Sequence, residues 1–175
     1  QTFAMSFPEK RTFFLEGSEL LKSNTNTVYT RSITNPLGAV KYINQGENNT
    51  VYLLQATDTD SPYLAAGQYR SYKGNAGKSK VTIGRVKKNL GNKSHVGLIA
   101  TNRDYQVGGS GSVVEFDSLI NILDDYTLDL NYARSDTQEG NINFIETDDT
   151  FAGRTYAMDG ESFSGTAKNI RIRRA

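Results

Sequence analysis

Few side chains in this sequence could carry out catalysis. The 175 residues include one His and no Cys, which excludes thiolate nucleophiles, disulfides, Cys-bound metal centres and metal sites built on a His pair. A Ser-His-Asp site would depend on His95 alone. We expect His95 at a strand end or on a polar face, and no sequence feature supplies the positioned partner that a general base needs. Glu115 and Asp117 share one face of a predicted strand, which is not how paired carboxylates flank a glycoside. We therefore expect a protein that is not an enzyme and has no catalytic residue.

The glycine-rich and acidic motifs are better explained as turns. Gly77-Lys78-Ser79 lacks the first glycine of a phosphate-binding loop and precedes a strand-like run rather than a helix. The stretch Gly108–Ser112 lacks the third glycine of a dinucleotide fingerprint, and no βαβ unit surrounds it. Asp58-Thr59-Asp60 and Asp148-Asp149 could bind a hard cation such as calcium, but they lack the spacing of a calcium loop, and Asp favours turns. The sequence thus predicts no cofactor, no cofactor-binding residue and no metal ligand.

The elements that must position these residues are β-strands with one apolar and one polar face. Apolar and polar side chains alternate along Tyr126–Ser135 and along Val114–Ile122, as the period of two in a strand requires. Turns rich in Gly, Asn and Asp separate further segments, which predicts an all-β antiparallel meander of roughly ten strands. One short helix-like stretch is Gly17–Ser23. Further strands are predicted near Thr27–Ile33, Ala39–Asn44, Val51–Thr57, Leu64–Tyr72, Lys80–Lys88, His95–Arg103, Ile142–Thr147, Thr155–Asp159 and Ala167–Arg173.

Charge and hydropathy exclude further classes of protein. The 20 basic and 19 acidic side chains nearly cancel, so the chain lacks the footprint of a nucleic-acid-binding protein, and Ile170–Arg174 is interpreted as a strand with one basic face. No run of about 18 apolar residues occurs, which excludes a transmembrane helix. A transmembrane β-barrel stays open, because its alternating strands keep the apolar fraction low, here 37%. Nothing marks a linker, so we interpret residues 1–175 as a single β-barrel-like domain.

A string near the start resembles a known family. Residues 7–17, Phe-Pro-Glu-Lys-Arg-Thr-Phe-Phe-Leu-Glu-Gly, are similar to the FPEKRPFFLEG motif of a bacterial outer-membrane domain of no settled function, with Thr12 in place of the usual Pro. That domain follows a family 9 carbohydrate-binding module in Gram-negative bacteria. Val28–Ile33 looks like the family's next stretch, with Ser32 where a second Arg is usual, and Gly84–Arg103 and Val114–Ser135 resemble its hairpins. The residues that match the motif are Phe7, Pro8, Glu9, Lys10, Arg11, Phe13, Phe14, Glu16 and Gly17.

The resemblance implies a non-enzymatic protein of the bacterial outer membrane, a pore or surface platform associated with carbohydrate binding or uptake. Its partners would be outer-membrane lipid and an oligosaccharide, with no nucleic acid. The fold would be an outer-membrane-type β-barrel or a partial barrel, and the chain a fragment of a longer protein, since the carbohydrate-binding module and the family's later barrel are missing. The motif at residues 7–17 would be a strand entry or a plug element. In a barrel, the polar side chains of each alternating strand line the lumen. The residues predicted to face the lumen are Glu115, Asp117, Thr127, Asp129 and Asn131.

Two alternatives stay open at this point. A soluble β-sandwich in the periplasm or outside the cell could bind a glycan on a polar sheet face, and the supply of Tyr and Asn suits it. A hydrolase is the other alternative, with Glu115 and Asp117 as its carboxylates. Glycan binding without detergent would favour the first, and turnover of a glycoside would favour the second.

Overall fold

The computed structural model describes residues 8–23, 25–66, 71–122, 125–141, 150–151, 154–155 and 157–174. Within them a seven-stranded antiparallel sheet dominates, with the strand order β1-β2-β5-β6-β7-β8-β11. Two short hairpins, β3–β4 and β9–β10, interrupt the up-and-down order between β2 and β5 and between β8 and β11. This architecture confirms the predicted all-β antiparallel meander. The strands are β1 Pro36–Gln45, β2 Asn49–Asp58, β3 Pro62–Ala66, β4 Ser71–Asn75, β5 Ser79–Gly91, β6 Ser94–Tyr105, β7 Ser110–Ile122, β8 Tyr126–Gln138, β9 Thr150–Phe151, β10 Arg154–Thr155 and β11 Ser162–Arg174.

The turn between β5 and β6 illustrates how the sequence fixes the register of the sheet. Gly91, Asn92 and Lys93 have φ angles of 80°, 46° and 56°, in the left-handed region that tight hairpins require. Gly and Asn adopt this region at low cost. The register shifts by one residue between Asn89 and Gly91, which is a bulge at the end of the strand.

The segment before β1 lies against one face of the sheet. It contains the helix α1, Thr12–Leu15, and two 3-10 helices, Ser18–Leu21 and Thr30–Ser32. Its buried apolar side chains pack on β2 and β5 in a core of Phe14, Leu21, Ile33, Tyr52, Leu54, Ala56, Val81 and Ile83. Gly17 joins α1 to the next helix with a φ of 74°, and a Cβ there would clash with Ile43 of β1. We call residues 8–34 the N-terminal segment.

Three of the predicted elements differ from the structure. The strand predicted over Thr27–Ile33 is wrong, because a 3-10 helix forms at Thr30–Ser32, and the hydroxyls of Thr27 and Thr30 donate to Glu115 and Glu9. The strand predicted over Leu64–Tyr72 is two strands, β3 and β4, and residues 67–70 between them are outside the described residues. Ile142–Thr147 also lies outside the described residues. Near the predicted strand Thr155–Asp159, the described residues form the short β10 and one isolated bridge at Asp159.

The two faces of the seven-stranded sheet differ in burial, and on β7 and β8 they differ in character as well, whereas the covered face of β2 and β5 is largely apolar. On the face under the N-terminal segment, the polar Arg85 and Glu115 are 2% and 0% exposed, whereas their sequence neighbours Val86 and Val114 on the other face are 54% and 48% exposed. One row on that outer face is apolar across four strands, and the register pairs Val86, Leu98, Phe116 and Tyr132 in turn. We call these sides the polar face and the apolar face. Among the described residues, no helix has the length and hydropathy needed to cross a membrane.

Candidate functional site

The polar face of the sheet carries the candidate site. All five residues predicted to face a lumen lie on it, from the neighbouring strands β7 and β8. Four of them are buried and Thr127 is half-buried. Thr127 donates to Asn121 at 2.9 Å, and the carboxylate of Asp129 lies 3.7 Å from the guanidinium of Arg173 on β11. The shared face predicted from the sequence is therefore present, and the role in lining a lumen stays a prediction.

A buried ion pair links three strands on this face. Arg85 of β5 donates two hydrogen bonds to Asp117 of β7, one of them 2.9 Å long between Nη2 and Oδ2. His95 Nε2 of β6 lies 3.4 Å from the same oxygen. Arg85 reaches β7 by passing over Gly97 of β6, where a Cβ would lie 2.7–2.9 Å from the guanidinium atoms. His95 thus takes the strand-end position on the polar face that its sequence context indicates.

A second buried group joins the N-terminal segment to β7 and β8. Glu115 accepts hydrogen bonds from the hydroxyl of Thr27 and the side-chain amide of Asn131. The Oδ1 atom of Asn131 accepts in turn from the hydroxyl of Thr25 at 3.3 Å. Because Glu115 is buried, these donors replace water around its carboxylate. The segment is therefore bound to this end of the sheet through polar side chains.

The motif at residues 7–17 is held by hydrogen bonds within itself and to Thr30 of the same N-terminal segment. Glu9 accepts from Arg11 Nη2 at 2.7 Å and from the Thr30 hydroxyl at 3.0 Å. Partial burial would raise the pKa of Glu9, but these hydrogen bonds outweigh it and lower the pKa to about 2. The Arg11 guanidinium also lies 4.3 Å from the centre of the Phe14 ring. The motif thereby contacts the Val28–Ile33 stretch, so the two strings that resemble the family are in direct contact.

The second half of the motif is bound to β1 through Lys41. Its Nζ donates to the carbonyl of Phe13 at 2.6 Å and to both the carbonyl and the carboxylate of Glu16, at 2.9 and 2.8 Å. The hydrogen bond from Lys41 lowers the pKa of Glu16. Lys41 thus neutralises the carbonyl end of α1. Of the remaining motif positions, Pro8 and Lys10 are exposed, and Phe7 is outside the described residues.

Asp58 holds the end of the N-terminal segment beside β2. Its carboxylate accepts from the backbone N–H groups of Thr34 and Asn35 at 2.9 and 2.8 Å. It also lies 3.7 Å from Arg103 of β6, whose other nitrogen donates to Ser32 at 3.1 Å. Asp58 was predicted as a turn residue, and it does bind the backbone of a turn, but it is fully buried. This burial could not be predicted from the sequence, because no pattern in it shows which face of the sheet the N-terminal segment covers.

These contacts determine what the polar face can do chemically. Its buried carboxylates accept hydrogen bonds from Arg, Asn, Thr and backbone donors, as structural ion pairs do. Arg85 and Arg103 also belong to this face, and neither was predicted as a site residue from the sequence. The described residues contain one group of acidic side chains that could hold a metal ion, Glu139, Asp159 and Glu161. None of these was predicted, because they are far apart in the sequence.

Comparisons with protein-family models, with curated proteins and with solved structures found no match for this chain. The polar face is filled by the chain's own N-terminal segment, and the apolar face is exposed across several strands. On β7 and β8 this arrangement is the reverse of the usual one in soluble proteins, where a sheet buries its apolar face, whereas on β2 and β5 the covered side chains are apolar.

Proposed function

We propose that this chain is a membrane-spanning part of a bacterial outer-membrane β-barrel, with the apolar face against lipid and the N-terminal segment as a plug on the polar face. The observation that carries the proposal is the reversed burial on β7 and β8, where polar side chains are covered and apolar ones are exposed. Neighbouring residues on one strand, such as Arg85 and Val86, differ in the sense expected when lipid rather than protein covers the apolar side. Exposed apolar patches of this extent mark interaction surfaces.

The dimensions of the sheet support this proposal. Strands β5 to β8 contain 12 or 13 residues, whereas about 9–11 residues suffice for a tilted strand to cross a bilayer. On β2 and on β5 to β7 the apolar face ends in a row of polar side chains that the register aligns across six strands, whereas on β8 and β11 the charged Arg134 and Lys168 lie on the same face inside that row. That row consists of Gln55, Thr82, Asn102, Ser112, Asp136 and Ser164. A change from apolar to polar at one level is what a membrane–water boundary requires.

The contacts of the N-terminal segment favour a plugged barrel over an open channel. The segment is bound to the polar face at Glu115, at Asp58 and at Lys41, on strands β7, β2 and β1. A pore would need part of this segment to move, whereas a surface platform would keep it in place. The association with carbohydrate uptake rests on the resemblance of the Phe7–Gly17 string, and it belongs to the proposal on that ground alone.

The alternative of a soluble glycan-binding sandwich fits the same observations less well. A sandwich packs the apolar faces of two sheets together and leaves a polar face for the ligand. Here the N-terminal segment covers the polar face, and the described residues provide only two-residue and five-residue strands besides the large sheet. Binding of glycans by the detergent-free protein, with recovery only from the soluble fraction, would support the sandwich and contradict the barrel.

Spin labelling tests the lipid contact directly, because the chain has no Cys and a single introduced Cys would carry the spin label. Leu98→Cys and Phe116→Cys place labels on the apolar face, and Val107→Cys places a control label in the exposed turn between β6 and β7. In outer membranes of the host, we expect the first two labels to collide more with dissolved oxygen than with a water-soluble nickel chelate. The control label should show the opposite order. Equal nickel accessibility at all three positions would contradict the proposal.

A further inference from the structure

Three carboxylates converge where the large sheet passes into the connection between β8 and β11. Glu139 directly follows β8, and Asp159 and Glu161 directly precede β11. Each offers an oxygen, and the three oxygens lie within 4.8 Å of one another. The register of the sheet brings these residues together, because it pairs Gln138 with Ser162.

The backbone holds this cluster in place. The N–H of Glu139 donates to the carbonyl of Glu161 at 2.9 Å, and Asn141 forms a bridge with Asp159. Gly160 has a φ of 89°, which turns the chain between the two acidic residues that flank it. The carboxylates therefore approach each other because of the chain's path and not through flexible side chains alone.

Buried oxygens without donors distinguish this cluster from an ordinary acidic surface. Glu139 is only 9% exposed, and its Oε1 accepts from the Tyr63 hydroxyl at 3.2 Å. Its other oxygen, Oε2, is buried and has no hydrogen-bond partner in the part of the chain that the structure describes. The same holds for Oε2 of Glu161. A buried charged oxygen without a donor is costly, and a cation would satisfy both.

Electrostatics at Glu139 point in the same direction. Burial raises the pKa of Glu139, the hydrogen bond from Tyr63 opposes this, and the charges of Glu161 and Asp159 raise it further. Carboxylates that repel each other in this way are relieved when a cation binds between them.

The donor set selects the class of cation. All the side-chain ligands are carboxylate oxygens, which suit hard cations and not the thiophilic metals. Calcium binds oxygen at about 2.3–2.6 Å in flexible geometry, so oxygens on opposite sides of one ion are about 5 Å apart. The spacing within 4.8 Å is compatible with this. We propose that Glu139, Asp159 and Glu161 bind a calcium ion that ties the end of β8 to the start of β11.

The calcium site is independent of the lipid contact, and terbium luminescence tests it. Terbium replaces calcium at oxygen sites, and Tyr63 beside Glu139 would sensitise its emission on excitation at the tyrosine band. We expect emission from the purified protein that calcium displaces, with affinity lowered at least about tenfold in Glu161→Gln. The control Glu47→Gln, in the exposed turn between β1 and β2, should bind like the wild type. Absence of displaceable emission, or equal affinity in both variants, would overturn the proposal.

Thermal unfolding of Glu139→Gln provides a second test, because a variant that simply misfolded would not melt at a higher temperature. Without calcium, we expect this variant to melt at a higher temperature than the wild type, because the substitution removes a repelled buried charge. With calcium, the wild type should gain stability and the variant should gain much less. An equal calcium shift in both proteins, or a lower melting temperature of the variant without calcium, would argue against the site.

Discussion

The N-terminal segment contacts the sheet in two different ways over different strands. Over β2 and β5 it buries apolar side chains, among them Phe14, Leu21 and Ile33. Over β7 and β8 it makes hydrogen bonds, from Thr27 to Glu115 and from Thr25 to Asn131. We call the first contact the apolar anchor and the second the polar contact. Both lie on the same face of one sheet, so the difference comes from the strands beneath.

This difference teaches which part of the segment could leave the sheet. Burial of apolar side chains gains free energy only while water is excluded. Hydrogen bonds to a carboxylate can be exchanged for bonds to water at a smaller net cost. If the proposed barrel opens at all, we therefore expect the polar contact to separate first and the apolar anchor to stay.

Removal of the Phe14 ring should weaken the apolar anchor most. Phe14 is buried among Leu21, Ile33 and Tyr52, and Phe14→Ala leaves a cavity that costs about 3–5 kcal/mol of unfolding free energy. The matched control is Leu15→Ala, the next residue of the same helix, which is exposed. Urea unfolding of the reconstituted protein measures both. A loss below about 1 kcal/mol in Phe14→Ala would mean that the segment is not anchored by its apolar side chains.

The polar contact should respond less to the loss of one donor. Thr27→Val keeps the shape of the side chain and removes the hydroxyl that bonds to buried Glu115, at a cost of about 1.5–3 kcal/mol. Thr82→Val, on the exposed face of β5, is the control and should be nearly neutral. The same urea titration compares them with Phe14→Ala. The ranking of the two contacts fails if Thr27→Val costs as much as Phe14→Ala.

Period-two alternation explains how much of this could be predicted. It correctly separates Glu115 and Asp117 from Val114 and Phe116, because alternating side chains must point to opposite faces of a strand. Alternation is symmetrical, however, and does not reveal which face another segment covers. Glu115 is buried and Val114 is exposed because the N-terminal segment covers one face of the sheet. Thr27 of that segment is 88 residues away from Glu115 in the sequence.

The errors have the same origin. Thr27–Ile33 has the β-branched residues of a strand, but its Thr side chains are used for contacts with Glu9 and Glu115, and tertiary contacts override local preference. The carboxylates of Glu139 and Glu161 meet only through the pairing of β8 with β11. Sequence could have indicated that pairing, since both strands alternate, but not its register across the long connection between them.

A single methyl group at Gly97 should displace the buried ion pair between Arg85 and Asp117 on the polar face. Gly97→Ala would place a Cβ within 2.7–2.9 Å of the Arg85 guanidinium, and displacing the buried ion pair costs about 1–3 kcal/mol. At Gly111 of β7 a Cβ meets nothing within 4 Å, so Gly111→Ala is the control. The two substitutions Gly97→Ala and Arg85→Met should be non-additive, because the second removes the group that the first displaces. Additive losses would show that Arg85 does not lie over Gly97.

The smallest expected effect is a pH dependence at Glu9, where the motif contacts Thr30. The folded pKa of about 2 lies below the ordinary Glu pKa of 4.5, so ionised Glu9 contributes stability that is complete above about pH 4.5. This contribution is lost as the pH falls through about 2. Glu9→Gln should lower the unfolding free energy by about 1 kcal/mol at neutral pH, and its difference from the wild type should shrink between pH 4.5 and 2. Unfolding midpoints measured from pH 2 to 7 give both curves, with Glu47→Gln as the control. A difference that stays constant over this range would mean that Glu9 supports the fold by shape and not by its charge, and the apolar anchor would then hold the motif without help from the ion pair.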